Sequence, residues 1–289
     1  MKTRFSVVVI LAVVASLTAQ NVTQPAGSQK RFISEKDLFT FVWIADPQLS
    51  PDGTRVLFTR VIVDDKRTGY ETSIWIADSS GKRAPIRMTN GRHDARPRWS
   101  PDGTHIVLVR GGEKDEAGKP KPSQLAMLSL AGGEASTITD LPKGASGPVW
   151  SPDGTRIAFE SSTTGEDLQK AERKNSAKPG DSQAESPHES DVHVITRAVY
   201  RSNDAGYLDP KRHVHIWLLE VPASSDQIPK PVQLTSGDFD EQEPVWSRDG
   251  SRIYFTARHV AEPYYELPST DIYSVPAAGG NSEKLATTP

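Results

Sequence analysis

Residue types that could bind metal lie close together in the last third of the chain. His213 and His215 are two positions apart in RHVHIW, and one face of a strand could present both imidazoles to a metal. The acidic run DFDEQE (238–243) could attract a cation, although it lacks the glycine and spacing of a calcium loop. Because no third ligand with a recognisable spacing accompanies the two histidines, we interpret them as packed or hydrogen-bonded residues of a strand. We interpret the acidic run as an interblade loop. No metal or cofactor is predicted.

A serine nucleophile of the α/β-hydrolase type requires G-x-S-x-G between a strand and a helix. The nearest match, GDSQA (Gly180–Ala184), ends in alanine and follows no apolar strand, so we interpret it as a loop. The sequence therefore predicts no catalytic residue within these 289 positions.

Four side chains in one later segment could contact a substrate or a partner domain. They are Arg197, Tyr200, Arg201 and Tyr207, in a stretch that regains apolar residues after a polar run. The alternative is that they are ordinary surface residues of strands.

The elements that position these residues repeat along the chain. PQLSPDGTRVLFTR begins at Pro47, and related phrases begin at Pro97, Pro148 and Pro244. Proline and aspartate favour a type I turn, and the following glycine can take the left-handed conformation that closes a hairpin. Strand-like residues follow each turn. We therefore interpret the Ser and Asp of the phrase as structural residues.

Each phrase is followed by a strand, often glycines, and a second strand that ends in threonine. The motif aspartate lies 37, 37, 82 and 38 residues before that threonine, so the third copy contains 82 − 37 = 45 additional residues. The spacing indicates an all-β fold, a β-propeller of four-stranded blades, with about four repeats present.

The repeats predict the domain boundaries. They are 47–96, 97–147, 148–243 and 244–289, with a lead-in at 20–46 and a mobile insertion around 163–190. A short helix could form at Glu166–Lys174 within that insertion.

A tryptophan precedes three of the four turns. Trp99, Trp150 and Trp246 occupy this position, and Leu49 occupies it in the first copy. We expect the large rings to wedge against the next blade.

The first 19 residues resemble a secretory signal peptide, with Lys2 and Arg4 before an apolar run that ends at Ala19. Cleavage after Ala15 or Ala19 fits, and an uncleaved anchor is the alternative. We expect a protein exported to the periplasm or the exterior, with no membrane segment after cleavage. The net charge of −3 provides no basic surface for nucleic acid, and the absence of cysteine excludes disulfides and thiol catalysis.

The repeated phrase resembles the WD40-like propeller repeats of TolB-like proteins and of the prolyl oligopeptidase group of serine peptidases (S9). Two longer stretches, Lys30–Val61 and Ile195–Val221, are similar to the acylaminoacyl-peptidase-like branch of that group. The propeller of that family usually has more than four blades, so the resemblance implies that the four repeats form an incomplete propeller. It also implies that the propeller screens peptide substrates for a C-terminal α/β-hydrolase domain, expected beyond Pro289, with the whole catalytic triad there.

Two functions are therefore considered. The first is the non-catalytic propeller portion of an exported serine peptidase that hydrolyses oligopeptides or acyl-peptides. The second is a stand-alone TolB-like propeller that binds a protein or peptide. A propeller-type lyase or glycosidase would need paired acids or a metal constellation, which the sequence lacks.

Overall fold

The structure is a computed structural model that describes residues 31–115, 118–176, 194–195, 200–202, 206–209, 211–222, 228–260 and 269–287. The chain divides into a short N-terminal unit, Met1–Leu38, and a large unit, Phe39–Pro289. In the short unit the Arg31 guanidinium pairs with the Asp37 carboxylate. A 3-10 helix covers Glu35–Thr40. The predicted signal peptide lies outside the described residues.

The large unit begins with blade 1, a four-stranded antiparallel sheet. Its strands are β1 (Val42–Leu49), β2 (Arg55–Val63), β3 (Tyr70–Asp78) and β4 (Ile86–Arg87). They pair in the order of the chain, so each connection is a hairpin.

Blade 2 repeats this order. Its strands are β5 (Asp94–Trp99), β6 (His105–Arg110), β7 (Gln124–Ser129) and β8 (Ser136–Thr137).

Blade 3 contains the insertion that the spacing predicts. Its four strands are β9 (Ser146–Trp150), β10 (Arg156–Ser161), β13 (His215–Glu220) and β14 (Val232–Gln233). Strand β10 pairs directly with β13, so the extra residues leave the sheet and return to it. The third copy is therefore one blade.

The insertion contains the helix α1 (Gly165–Ser176) and a separate hairpin, β11 (Arg201–Ser202) with β12 (Gly206–Tyr207). The helix extends the expected one by one residue at its start and two at its end, so this part of the expected mobile loop is helical. Residues 177–190 lie outside the described residues.

The start of α1 is held by a capping arrangement. Thr164 Oγ1 accepts the amide of Asp167 at 3.2 Å, and the Asp167 carboxylate accepts the amide of Thr164 at 2.9 Å. Arg212 donates to the same carboxylate at 2.6 Å, and Leu168 packs against the core of blades 2 and 3. These contacts fix the helix to the blade.

Blade 4 is a fourth sheet of the same kind. Its strands are β15 (Glu241–Trp246), β16 (Arg252–Ala257), β17 (Asp271–Pro276) and β18 (Glu283–Thr287), again paired in chain order.

Each repeated phrase forms the turn between the first two strands of a blade. In blade 3 the Ser151 carbonyl accepts the amide of Gly154 at 2.9 Å, and the Ser151 amide donates to the Arg156 carbonyl at 2.8 Å. Gly154 has φ of +72°, the left-handed conformation that the sequence predicts. The turn is therefore a closed hairpin connection.

Three clusters of buried apolar side chains lie between consecutive blades. Leu57 and Ile74 of blade 1 pack against Ile106 and Leu108 of blade 2, and all four are fully buried. Similar clusters join blade 2 to blade 3 and blade 3 to blade 4. Among the described strands, no comparable packing joins blade 4 to blade 1. The four blades therefore form an open array, as expected for an incomplete propeller.

The threonine that ends each repeat closes the outer part of its blade. In blades 1 to 3 its hydroxyl accepts an amide from the third strand: Thr89 from Ile74 at 3.2 Å, Thr139 from Leu125 at 2.9 Å and Thr235 from Ile216 at 3.0 Å. These threonines are buried, so the bond satisfies an amide that the two-residue outer strands leave unpaired.

Candidate functional site: a cavity where the four turns meet

A cavity of about 510 Å³ opens where the first strands of the four blades end. Its walls are largely apolar, because each blade contributes the residues just before its turn and the first residues of the turn. They include the three motif tryptophans and the turn prolines Pro51, Pro101 and Pro152. A concave, mainly apolar site with a few charged groups is the kind of surface that binds a ligand.

The tryptophans hold this wall together. The indole Nε1 of Trp150 donates to the carbonyl oxygen of Arg98 in blade 2, at 3.1 Å. Trp99 makes the same bond to Gln48, and Trp246 to Val149, both at 3.1 Å. Each ring packs against the preceding blade, because the carbonyl that accepts its indole N–H belongs to that blade. The expectation of contact with the next blade was therefore wrong.

Two of these rings each have an arginine guanidinium over their face. The guanidinium of Arg55 in blade 1 is 4.9 Å from the ring centroid of Trp99, and that of Arg156 in blade 3 is 5.0 Å from the ring of Trp246. Each arginine follows the turn of the blade that precedes its tryptophan. Cation–π contact therefore adds to the hydrogen bond at these two interfaces.

A bulge in the first strand of each blade shapes the cavity wall. The residue before the phrase's first proline has positive φ in every blade: Asp46 (+49°), Arg96 (+51°), Gly147 (+58°) and Glu243 (+56°). The strand pairing shifts at the same places. Such bulges bend a strand and redirect its side chains.

Two arginines supply the formal charge among the cavity-lining residues. Arg98 is paired with Asp46 of blade 1 at 2.5 Å, and both are partly buried. Arg248 stands where the other three turns have proline; it is exposed, and within the described residues nothing pairs with its guanidinium. The cavity wall contains no carboxylate. The guanidinium of Arg248 is therefore the unpaired charge among the lining residues.

The aspartates of the repeated phrase accept hydrogen bonds within their own turns. Asp153 accepts hydrogen bonds from the hydroxyl of Ser151 at 2.5 Å and from the amide of Thr155 at 3.1 Å. These bonds, the serine hydroxyl first, lower the pKa of Asp153 to about 2. The same cause lowers the pKa to about 2 at Asp52, Asp102 and Asp249. A carboxylate held ionised by its own turn fits the structural role that the sequence predicts.

A buried ion pair ties the start of blade 2 together. Asp94 is fully buried, and Arg110 donates to both of its carboxylate oxygens, at 2.9 and 3.0 Å. Arg110 also donates to the carbonyl of Ala135 at 2.8 Å. The hydrogen bond to Asp94 raises the pKa of Arg110, so the guanidinium stays charged.

Each of the two histidines lies close to a carboxylate of the acidic run. His215 Nδ1 lies 3.0 Å from the carboxylate of Glu241, and both are buried; His213 lies 3.6 Å from Asp240. Strand β13 begins at His215, so His213 precedes the strand, and Glu241 already belongs to β15. Among the described residues no three His, Asp or Glu side chains are arranged to bind a metal ion.

Three of the predicted contact residues, Tyr200, Arg201 and Tyr207, lie at the inserted hairpin and do not line the cavity. The rings of Tyr200 and Tyr207 stack with centroids 6.2 Å apart, and Arg201 lies 5.7 Å from the Tyr207 ring. Arg197 lies outside the described residues. Their role in binding stays a prediction. Arg98 and Arg248 were not predicted from the sequence as cavity residues. The fourth turn reads SRDG where the other three read SPDG, and this difference could have indicated Arg248.

Comparison with family models finds no match for this chain. Comparison with curated sequences finds the uncharacterised peptidase YuxL of Bacillus subtilis, 32% identical over 233 residues, which are 79% of this chain and 31% of that protein. Dipeptidyl-peptidase 5 of Porphyromonas endodontalis is 26% identical over 135 residues, 46% of this chain and 18% of that protein. This chain has peptidases among its relatives.

Solved structures support the fold. An acylaminoacyl peptidase from Pyrococcus horikoshii matches 87% of this chain and 33% of its own, at 17% identity and a TM-score of 0.55. A protein assigned as TolB from Agrobacterium tumefaciens matches 85% of this chain and 81% of its own, at 17% identity and a TM-score of 0.50. The fold is that of a TolB-like propeller.

The chain spans about a third or less of the length of the curated peptidases that it matches. It thus corresponds to a propeller portion of a peptidase or to a TolB-like protein. No helix among the described residues is long and apolar enough to cross a membrane.

Proposed function

We propose that this chain is the non-catalytic propeller portion of an exported S9-type serine peptidase. One observation carries the proposal: 79% of the chain is 32% identical to a peptidase of which it covers only 31%. The reaction is hydrolysis of oligopeptides or acyl-peptides through a serine ester, with the triad in an α/β-hydrolase domain beyond Pro289. The propeller takes no part in bond breaking.

The role proposed for the propeller is to admit peptides and exclude folded proteins. The cavity of about 510 Å³ offers the exposed turn prolines to an extended chain, and Arg248 offers a guanidinium to a carboxylate of the peptide. We expect the affinity for an acidic peptide to fall on Arg248→Ala. Arg83→Ala, at an exposed site that does not line the cavity, is the matched control.

Export is the third part of the proposal. It is supported by the basic start, apolar run and small residues of positions 1–19. We propose cleavage of this segment and a periplasmic or extracellular location for the mature protein.

Serine-directed labelling tests the proposed function. A fluorophosphonate probe added to the exported proteins of the native host should label a protein that contains tryptic peptides of this chain. Recombinant 1–289 is the control and should not react, because it contains no G-x-S-x-G motif. Absence of these peptides from every labelled protein, with the chain itself detected in the sample, refutes the peptidase assignment.

A stand-alone TolB-like binding protein is the second candidate. The observation that favours it is that the chain covers 81% of the structure assigned as TolB from Agrobacterium tumefaciens. This candidate requires that recombinant 1–289 retain a protein or peptide from host extract, and that competition with a cavity-binding acidic peptide release it.

A further inference from the structure

The loop that joins blade 1 to blade 2 contains an asparagine followed directly by a glycine. Asn90 and Gly91 form this pair, whereas every other asparagine of the chain precedes valine, serine or aspartate. The side-chain amide of an asparagine can be attacked by the backbone nitrogen of the next residue, which closes a succinimide ring. Glycine places no side chain in the way of that attack. The sequence context therefore favours this reaction at Asn90.

The structure leaves both reacting groups accessible. Asn90 is exposed, and the Gly91 amide donates to no acceptor among the described residues. The side-chain nitrogen of Asn90 donates to the carboxylate of Glu134 at 2.9 Å, in an exposed position. Because water can replace an exposed hydrogen bond at little cost, this contact does not keep the Asn90 side chain away from Gly91.

The glycine of this pair is required by the fold. A Cβ atom at residue 91 would overlap the carboxylate of Asp94. Asp94 is fully buried and accepts hydrogen bonds from Arg110, so moving its carboxylate aside would break a buried ion pair. The same packing that excludes other residues at position 91 therefore maintains the reactive pair.

The contacts of the loop are those that the reaction would change. Arg87 donates to the carbonyl oxygens of Thr89 at 2.7 Å, Gly91 at 3.4 Å and Asn90 at 3.5 Å. Opening of the succinimide at its main-chain carbonyl gives isoaspartate, whose Cβ becomes part of the backbone and displaces these carbonyls. Opening at the other carbonyl gives aspartate, whose carboxylate faces that of Glu134.

We propose that Asn90 is a site of spontaneous deamidation that weakens the contact between blades 1 and 2. The Gly91 nitrogen bonds to Cγ of Asn90, the bond from Cγ to Nδ2 breaks, and ammonia leaves with the proton of the Gly91 amide. Water then opens the ring to aspartate or isoaspartate. Both products lack the N–H that binds Glu134 of blade 2, and both add a negative charge beside it. The inference goes beyond the proposed function, because it requires only this loop and its neighbours.

Peptide mapping after incubation tests the proposal. The 289-residue chain is kept in mildly alkaline oxygen-18 water until a synthetic MTNGR peptide in the same buffer has converted, and is then digested with trypsin in ordinary water. Trypsin releases residues 88–92 as MTNGR, because they follow Arg87 and end at Arg92. We expect this peptide to carry oxygen-18 and to separate into aspartate and isoaspartate forms. The peptide that contains Asn281, which is also exposed in a loop but precedes serine, is the internal control and should keep its amide.

Two results of this mapping overturn the proposal. The first is an Asn90 that keeps its amide in the chain after the synthetic peptide has converted, because the fold then protects the side chain. The second is equal conversion at Asn90 and Asn281, because the glycine then confers no reactivity. Asn90→Gln is the matched variant: its amide can still reach Glu134, but its ring would be larger and closes more slowly, so residues 88–92 should stay unlabelled.

A second measurement tests the effect on the blades. Asn90→Asp, which reproduces one product, should lower the midpoint of thermal unfolding by about 1–4 °C, as expected for a contact between exposed charged groups. Glu134→Gln should raise the midpoint of Asn90→Asp but not that of the native chain, because it removes the repulsion between the two carboxylates. A midpoint that Asn90→Asp leaves unchanged, or one that Glu134→Gln does not recover, overturns the part assigned to Glu134.

Discussion

Replacement of Trp150 by alanine should be among the most damaging changes to this protein. The ring is 9% exposed, and its N–H donates to the Arg98 carbonyl at 3.1 Å. Removing a buried tryptophan side chain costs about 3–5 kcal/mol. A mid-sized domain loses about 2–4 °C of thermal midpoint per kcal/mol, so we expect a fall of about 6–20 °C. Trp150→Phe keeps a ring but leaves the carbonyl without its donor, which costs about 1–3 kcal/mol.

Leu49→Ala is the matched control, because Leu49 stands at the same position of blade 1 and is 61% exposed. Its cost should stay below about 1 kcal/mol, as for other exposed sites. The assay is thermal unfolding followed by β-sheet circular dichroism on all three variants. If Trp150→Ala and Leu49→Ala lower the midpoint equally, the tryptophan does not bind the blades together and the reasoning fails.

Three further outcomes follow from single contacts. Arg110→Met leaves the fully buried Asp94 unpaired and should cost about 3–5 kcal/mol in thermal unfolding, while adding Asp94→Asn should recover part of it; an additive loss would contradict the pairing. Thr139→Val should expose the Leu125 amide to faster hydrogen exchange and cost about 1–3 kcal/mol; unchanged exchange would disprove the bond. Asp153 has its pKa lowered to about 2, below the unfolded value near 4, so its stabilisation is complete above about pH 4 and is lost as the pH falls through 2. Asp153→Asn should flatten this part of an acid titration of stability, and an unchanged profile would refute the assignment.

The fold could be predicted because its information is local. The turn at Ser151–Gly154 is specified by four consecutive residues, and the left-handed φ of Gly154 follows from the absence of a side chain. The spacing from Asp153 to Thr235 revealed an insertion within one blade, and the pairing of β10 with β13 confirms it. Local chemistry, repeated four times, predicts the architecture.

The cavity could not be predicted, because it depends on contacts between distant parts of the chain. Arg98 reaches Asp46, 52 residues earlier, only after a bulge with positive φ at Asp46 redirects the first strand. The residue type does not reveal that bulge, since arginine, glycine and glutamate also occupy its position, and the four copies share only the proline that follows. The direction in which the tryptophans pack likewise depends on how neighbouring blades are stacked.

We propose that this propeller is part of a larger serine peptidase. Intact-mass measurement of the native protein that contains these peptides, purified from its host's exported fraction, tests this proposal. The expected mass is far above the 31.6 kDa of this chain, with a G-x-S-x-G sequence in the additional part. A mass near 31.6 kDa, less the leader segment, would contradict it and leave the TolB-like binding protein.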